Sequence, residues 1–562
     1  MRKKKTNDQL SVQCIAGSYV VLIGWSYPKS KCKNLAGFAI HRTDHEEDEA
    51  YWLKGMKTFE STDPGLPDES LHSTRNHPIQ SFMWSDYSAK PGHKYTYRVV
   101  ALKGEADNLH EVAKTKVDIT TESPEDGLND VYFNRGAAAS QEYVRRFGNE
   151  KPDNSDFDDP KWCWLSRGLY EGMVAFVEEA QEGDKLRICA YEFHFEPFLK
   201  VLKAAVKRGV DLKVIYDAKD KPDKETGKVF PRDENRKAAL KAGIKSKCIE
   251  RSEYKSAISH NKFIIRYKGD KPVSVWTGGT NFSDGGIYGQ SNVGEVAEYP
   301  EVAEKYAAYW EMLAQDPTGR ELRPLVDELT PTPSGKPVKG TSVIFSPRGS
   351  TDILDWYVEL ANNAKESLFM TFAFGMNSRF KDVYKNSNAG LRFALMEKTV
   401  RPMKAGPKKD AEVADIRKLR FMDENLFAIG SHFRVNKFDS WVAERLTGLN
   451  SHVRYIHNKF MLIDPLSSDP IVIGGSANFS DASVQKNDEN MLVIRGNRRV
   501  ADIYLGEYMR LYSHHAFREF VNRKGSTVPK LNHLRTDDWW SAHFGTKNRS
   551  KRRQYFAGVV DD

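Results

Sequence analysis

Two stretches of this chain set an imidazole two residues before a cation, His260-Asn261-Lys262-Phe263 and His457-Asn458-Lys459-Phe460. Each is followed at the same distance by an amide and a hydroxyl, in Asn281-Phe282-Ser283-Asp284 and Asn478-Phe479-Ser480-Asp481. Laid over each other without a gap, windows 260–284 and 457–481 agree at 10 of 25 positions, mostly on polar and glycine residues. These types suit one chemistry. A phosphodiester is a stable anion, and a protein acting on it without a metal needs a nucleophile that can carry phosphorus, cations for the non-bridging oxygens and an acid for the leaving group. Two imidazoles divide that labour, one attacking while neutral, the other giving its proton to the departing oxygen. Lys262, Lys459, Asn281 and Asn478 would hold the phosphoryl oxygens. One copy is half of such a site, so the repeat predicts a single site on a pseudo-twofold axis between two lobes of one chain.

The pattern resembles the phospholipase D superfamily, whose signature is His-x-Lys-x4-Asp followed by a Gly-Gly/Ser-x-Asn strand end. The second copy matches in full, with His457, Lys459, Asp464, Gly474, Gly475, Ser476, Asn478 and Ser480. The first holds at His260, Lys262, Gly278, Gly279, Asn281 and Ser283, and departs at Tyr267, where the motif has Asp. The resemblance implies that this Asp is structural. It also implies an acid that hydrogen-bonds a catalytic histidine. Glu489 stands where the family places it, whereas the first copy offers Glu295 three positions later, with Asn292 at the equal spacing; Glu295 is the expected partner on chemical type. By resemblance His260 is the nucleophile and His457 the acid, although the complete second motif argues the reverse.

The elements that would position these residues repeat as well. Phe133-Asn134-Arg135-Gly136 and Phe345-Ser346-Pro347-Arg348-Gly349 each precede helical segments and then an apolar strand, 186–193 and 368–374. A helix over 197–208 feeding a strand at 212–217 forms a β-α-β unit, which implies parallel strands. Prolines at 331, 333 and 337 mark a boundary between lobes. The first 120 residues differ: Val20 to Trp25, Gly37 to Arg42 and Gly92 to Leu102 read as strands, the last strictly alternating. Over about 20–121 they resemble a fibronectin type III sandwich, with a closing strand at 116–121. The expected fold is therefore α/β, with two pseudo-symmetric phospholipase D-type lobes, each a mixed sheet flanked by helices, plus an N-terminal all-β immunoglobulin-like sandwich. The expected divisions are 1–125 (sandwich), 126–330 (lobe 1), 331–525 (lobe 2) and 526–562 (a basic, aromatic tail). A basic, irregular insert at 400–415 is a candidate substrate-selecting loop. The tail's Trp539, Trp540, Phe544, Tyr555 and Phe556 suit stacking on bases, insertion at a lipid interface, or packing on the lobes.

Composition narrows the classes further. Five cysteines, an odd number without paired spacing, suit a reducing compartment and imply neither a disulfide scaffold nor a zinc site. No cofactor or metal is implied. No apolar run is long enough to span a membrane, and none follows the charged start, so the expectation is a cytoplasmic protein or one exported without a classical signal peptide. The net charge of +8 sits in Arg2 to Lys5 and in Lys547, Arg549, Lys551, Arg552 and Arg553, which leaves the body near neutral. Basic ends attract nucleic acid or anionic lipid alike. The expected function is a metal-independent phosphodiesterase working through a phosphohistidine, with a phospholipid as leading substrate and water or another alcohol as acceptor. A nuclease of the same superfamily is the second reading, marked by a positive track at the cleft mouth. A non-catalytic phosphodiester-binding protein is the third. The sandwich could dock a partner or act as a spacer.

Overall fold

Two seven-stranded sheets carry the repeat, in a computed structural model that describes every residue except 67–69, 126, 137–139, 149, 151, 154–155, 157, 223–226, 228, 254–256, 402, 431–455, 525–532 and 561–562. In spatial order the first sheet runs Asn129–Phe133, Val293–Ala297, Lys271–Gly278, Lys262–Lys268, Lys185–Ala190, Asp211–Asp217, Cys248–Arg251. The second runs Gly340–Ser346, Glu489–Arg495, Ile471–Gly475, Phe460–Ile463, Ser367–Phe372, Leu391–Met396, Asn425–Ile429. Both are antiparallel over their first five strands and parallel over the last three. The parallel part follows from the predicted β-α-β unit, with helix Glu196–Lys207 as its crossover. The central strands are apolar on both faces, as in Phe263-Ile264-Ile265 and Phe460-Met461-Leu462, because helices cover both sides.

Helices Pro300–Ala314 and Arg498–Lys524 lie between the two sheets and weld them into one core. Tyr306 packs edge-on against Phe263 of the first sheet and Phe345 of the second, with ring centroids 5.0 and 4.9 Å away. Tyr504 does the same from the other helix, 5.0 Å from Phe133 and 5.0 Å from Phe460. Edge-to-face pairs at these separations add about 0.5–1.5 kcal/mol each beyond their buried area. The result is a rigid seam with its pseudo-twofold axis between the lobes.

Residues 2–120 form two four-stranded antiparallel sheets, in the orders Arg2–Asn7, Leu10–Ala16, Val21–Ser26, Met83–Asp86 and His110–Thr120, Lys94–Lys103, Leu35–Asp44, Glu49–Trp52. Trp25, Phe38, Tyr95 and Tyr97 fill the space between them. The β region thus begins earlier than residue 20, and the basic start is not a free tail. Arg2 to Lys5 lie in a strand, and Arg2 Nε donates to the buried Asp502 at 2.6 Å. The C-terminal aromatics pack inward too. Trp539 is 3% exposed with its Nε1 donating to Leu35 O at 2.8 Å, and Phe556, on helix Asn548–Ala557, is fully buried against strand Val21–Ser26. Of the 400–415 segment, residues Pro407 onward form the helix Pro407–Arg420 rather than an irregular loop; a proline at its first position and three basic residues in its last turn favour the helix.

Candidate functional site

The two histidines approach each other from the facing edges of the lobes. His260 stands two residues before strand Lys262–Lys268, and His457 three residues before strand Phe460–Ile463. The segments before them are stitched across the lobe boundary by isolated parallel bridges, Ser259 with Asp488 and Ile456 with Ser291. Their rings face at a centroid separation of 6.5 Å and an interplanar angle of 75°, and both residues are buried.

Each ring is held by the opposite lobe. His260 Nδ1 lies 2.8 Å from Glu489 Oε2, and His457 Nδ1 lies 2.9 Å from Asn292 Oδ1. Asn292 Nδ2 donates to Gly286 O at 2.7 Å, which fixes the amide so that its oxygen faces the ring. Both partners then accept, so Nδ1 of each imidazole carries the proton and Nε2 keeps a lone pair in the neutral form. Glu295 is not the partner of His457. It accepts from Tyr504 across the lobe seam at 2.7 Å, where burial raises its carboxyl to about 7. Asn292 and Glu489 each follow their motif asparagine by eleven residues, so equal spacing located the partner and the preference for an acid misled.

Lys262 and Lys459 lie beside the rings, each almost wholly buried and each folded back on its own motif: Lys262 Nζ donates to His260 O, and Lys459 Nζ to His457 O at 2.6 Å. Tyr191 packs on the His260 ring at 5.1 Å and lies 5.3 Å under the Lys262 ammonium. Asn281 is 4% exposed, and the Oδ1 atoms of Asn281 and Asn478 are buried without a hydrogen-bond partner among the described residues. Burial pushes Lys262 down to about 8 and Lys459 well below the usual lysine range. Burial, then the two ammonium groups, holds both histidines well below the usual imidazole range. Burial lifts Glu489 to about 7 against the pull of Lys262. Four basic side chains thus surround one acid, which is the electrostatic complement of a bound anion.

The remaining motif residues shape the frame. Gly278 has φ +130°, and a Cβ there would sit 2.3 Å from Val293 O; a Cβ on Gly475 would sit 2.3 Å from Asn490 O. Only glycine lets the strands carrying Asn292 and Glu489 come that close. Ser283 Oγ donates to Glu192 Oε2 at 2.5 Å, and Ser480 caps the short helix Asp481–Gln485. Asp464 accepts backbone N–H groups of Lys365, Glu366 and Ser367 at 2.7–3.1 Å, tying the hairpin to the neighbouring strand. In the first lobe Tyr267 packs near Arg187, and the tie runs in reverse: Asp184, just before strand Lys185–Ala190, accepts from Gly269 N in the hairpin at 2.9 Å. The departure at Tyr267 therefore leaves that lobe anchored.

A family model described as "Cardiolipin synthase, PLD-like domain" matches the chain twice, over residues 173–314 and 358–511. The chain belongs to this PLD-like family. The two matches fall one in each lobe and together span more than half of the sequence, as the duplication requires. No curated protein matches the chain. Among solved structures, phosphatidylserine synthase from Haemophilus influenzae matches at 10% identity over 62% of this chain and 85% of that one, TM-score 0.43. The phospholipase D family member Nuc from Salmonella typhimurium matches at 26% identity over 26% of this chain and 87% of its own, TM-score 0.21. Polyphosphate kinase from Porphyromonas gingivalis matches at 9% identity over 60% of this chain, TM-score 0.37, and the chain spans 46% of that enzyme's length.

Proposed function

We propose that this PLD-like chain is a phosphodiesterase that works through a phosphohistidine, with His260 as nucleophile and His457 as general acid. The observation that carries the assignment is the unequal pairing of the rings: His260 faces the carboxylate of Glu489, and His457 faces the neutral amide of Asn292. When His260 Nε2 attacks phosphorus, its ring gains positive charge, which a carboxylate at Nδ1 stabilises and an amide does not. The P–O bond to the leaving group breaks, and its oxygen takes the proton from His457 Nε2. Water then attacks phosphorus, His457 accepts the water's proton, and the P–N bond breaks with its electron pair returning to His260. Lys262 and Lys459 bear on the non-bridging oxygens. His457 is neutral in the buried resting site, and the phosphodiester's own charge, placed between the rings, favours the imidazolium that the acid role needs.

The substrate this reading favours is a phospholipid, with support from a family whose description names cardiolipin synthase, and with water or a second alcohol as acceptor. A nucleic acid is the second reading. It draws on Lys398, Arg401 and Lys404, exposed on the segment that follows strand Leu391–Met396 at the His457 lobe and without ion pairs among the described residues. The deciding assay offers the purified protein phosphatidylcholine, phosphatidylglycerol, single-stranded DNA and duplex DNA in EDTA. Turnover of a lipid alone upholds the first reading and of DNA alone the second. Activity that is lost in EDTA and restored by magnesium or zinc refutes both. His260→Ala is expected to form no covalent adduct and His457→Ala to accumulate one from a substrate whose leaving group needs no proton; the opposite pattern would exchange the roles.

A further inference from the structure

Each lobe holds a buried carboxylate that the mechanism above does not use, at the same place in both sheets. Asp217 ends strand Asp211–Asp217, and Glu397 directly follows strand Leu391–Met396; each is the residue after the one paired with the end of the neighbouring central strand, Ala190 with Tyr216 and Phe372 with Met396. Asp217 Oδ2 accepts from Ser259 N at 2.7 Å, and Glu397 Oε2 accepts from Ile456 N at 2.9 Å. Ser259 and Ile456 are the residues immediately before the two site histidines. Asp217 is 1% exposed and Glu397 4% exposed. The two differ in side-chain length and sequence surroundings, yet each reaches the same backbone atom in its own lobe. A buried carboxylate is costly unless it is hydrogen-bonded, and in both lobes that bond goes to the backbone N–H of the residue beside the site imidazole.

We propose that Asp217 and Glu397 are lobe-specific positioning residues, Asp217 setting the attack line of His260 and Glu397 the proton-donating line of His457. The lever is short. The N–H that the carboxylate holds belongs to the peptide preceding the histidine by one residue, and on the first lobe His260 N itself donates to Asp488 O at 3.0 Å across the seam. The His260 backbone is therefore gripped on one side by its own lobe and on the other by its partner lobe, the Ile456 backbone before His457 is bridged to Ser291 of the partner lobe, and the rings are aimed by Glu489 and Asn292. Releasing the first grip tilts the ring about the other two contacts. In-line displacement tolerates little tilt, because a misplacement of about 1 Å costs on the order of 100-fold in rate.

The inference rests on the two-histidine reading, and its test separates the two. Asp217→Asn and Glu397→Gln are made in the full chain and given two phosphodiesters with the same retained group, one leaving as p-nitrophenolate and one as a primary alcohol, with rapid-quench capture of the adduct. Asp217→Asn is expected to slow adduct formation about 10- to 100-fold on both substrates, since attack is impaired whatever leaves. Glu397→Gln is expected to slow it by a similar factor on the alcohol ester alone, since only that group needs the proton of His457. Histidine-ring NMR of the resting protein is expected to show His260 resonances moving in the first variant and His457 resonances in the second. Asp217→Glu and Glu397→Asp serve as the second pair if either amide fails to fold. Equal slowing on both esters by both variants, unchanged rates, or shifts of both rings in each variant would overturn the inference. A wild-type protein that forms no adduct on either ester would refute the phosphohistidine reading instead, and the ring shifts would still decide the positioning.

Discussion

At the scale of single residues, two lysines and two neutral imidazoles share the site with Glu489, the one carboxylate on a histidine ring, and its pH behaviour follows. In the proposed mechanism Glu489 acts ionised, opposite a charged His260 ring, and burial has raised it to about 7. The rate is therefore expected to fall as pH drops through about 7, and Glu489→Gln to remove that limb while lowering kcat on the order of 10²- to 10⁴-fold. The pH profile of kcat/KM in the two proteins measures both effects. Asn292 acts on the other limb. A carboxylate there would favour the imidazolium, so Asn292→Asp is expected to raise His457 and carry the alkaline limb upward with it. An unmoved alkaline limb would mean that His457 is not the titrating acid.

At the scale of elements, the hairpins that present the histidines are fixed by different devices in the two lobes. Asp464 takes three backbone N–H groups at once and sits at φ +46°, a conformation Asp adopts more readily than Ala. Asp464→Ala is expected to cost about 2 kcal/mol, read as a lowered denaturation midpoint. Restoring the family residue in the other lobe should not help. Tyr267 is 8% exposed and the anchoring there comes from Asp184, so Tyr267→Asp is expected to destabilise by burying an acid where a ring packs. A gain in stability from Tyr267→Asp would show that the first hairpin lacks its anchor.

At the scale of the whole molecule, both ends of the described chain close on the body. Helix Asn548–Ala557 lies on strand Val21–Ser26, where Gly24 lets the backbone of Phe556 come so near that a Cβ would sit 2.3 Å from its carbonyl oxygen. Arg553, 2% exposed, stacks on Phe544 at 4.3 Å and on Phe82 at 5.9 Å. The β region, the second lobe and the C-terminal helix are thus mechanically joined, with Lys551 paired to Glu424 of lobe 2 at 3.0 Å. Phe556→Ala is expected to cost about 3–5 kcal/mol, opening the C-terminal segment to protease while adduct formation at the histidines proceeds unchanged. Loss of adduct formation in parallel with protease sensitivity would show that the sandwich supports the site itself. Among the described residues, no helix is long and apolar enough to cross a membrane.

The duplication, the two His-x-Lys motifs and the α/β character of each lobe were legible along the chain, because all of these are local or periodic. His260, Lys262, Asn281 and their counterparts could be singled out without a structure, since an imidazole, a cation and an amide recur there at one spacing. The lobe seam decided the rest. Which acceptor meets which ring depends on the strands of one lobe reaching the histidine of the other, so residue 292 outranked residue 295 through register and not through chemical type. Asp217 and Glu397 lie some 40 to 60 residues from Ser259 and Ile456, whose backbone N–H groups they accept, at strand ends whose pairing no periodicity reveals. The charged termini misled for the same reason: Arg2 and Arg553 look solvated along the chain, and only tertiary contacts with Asp502 and Phe544 take them out of water.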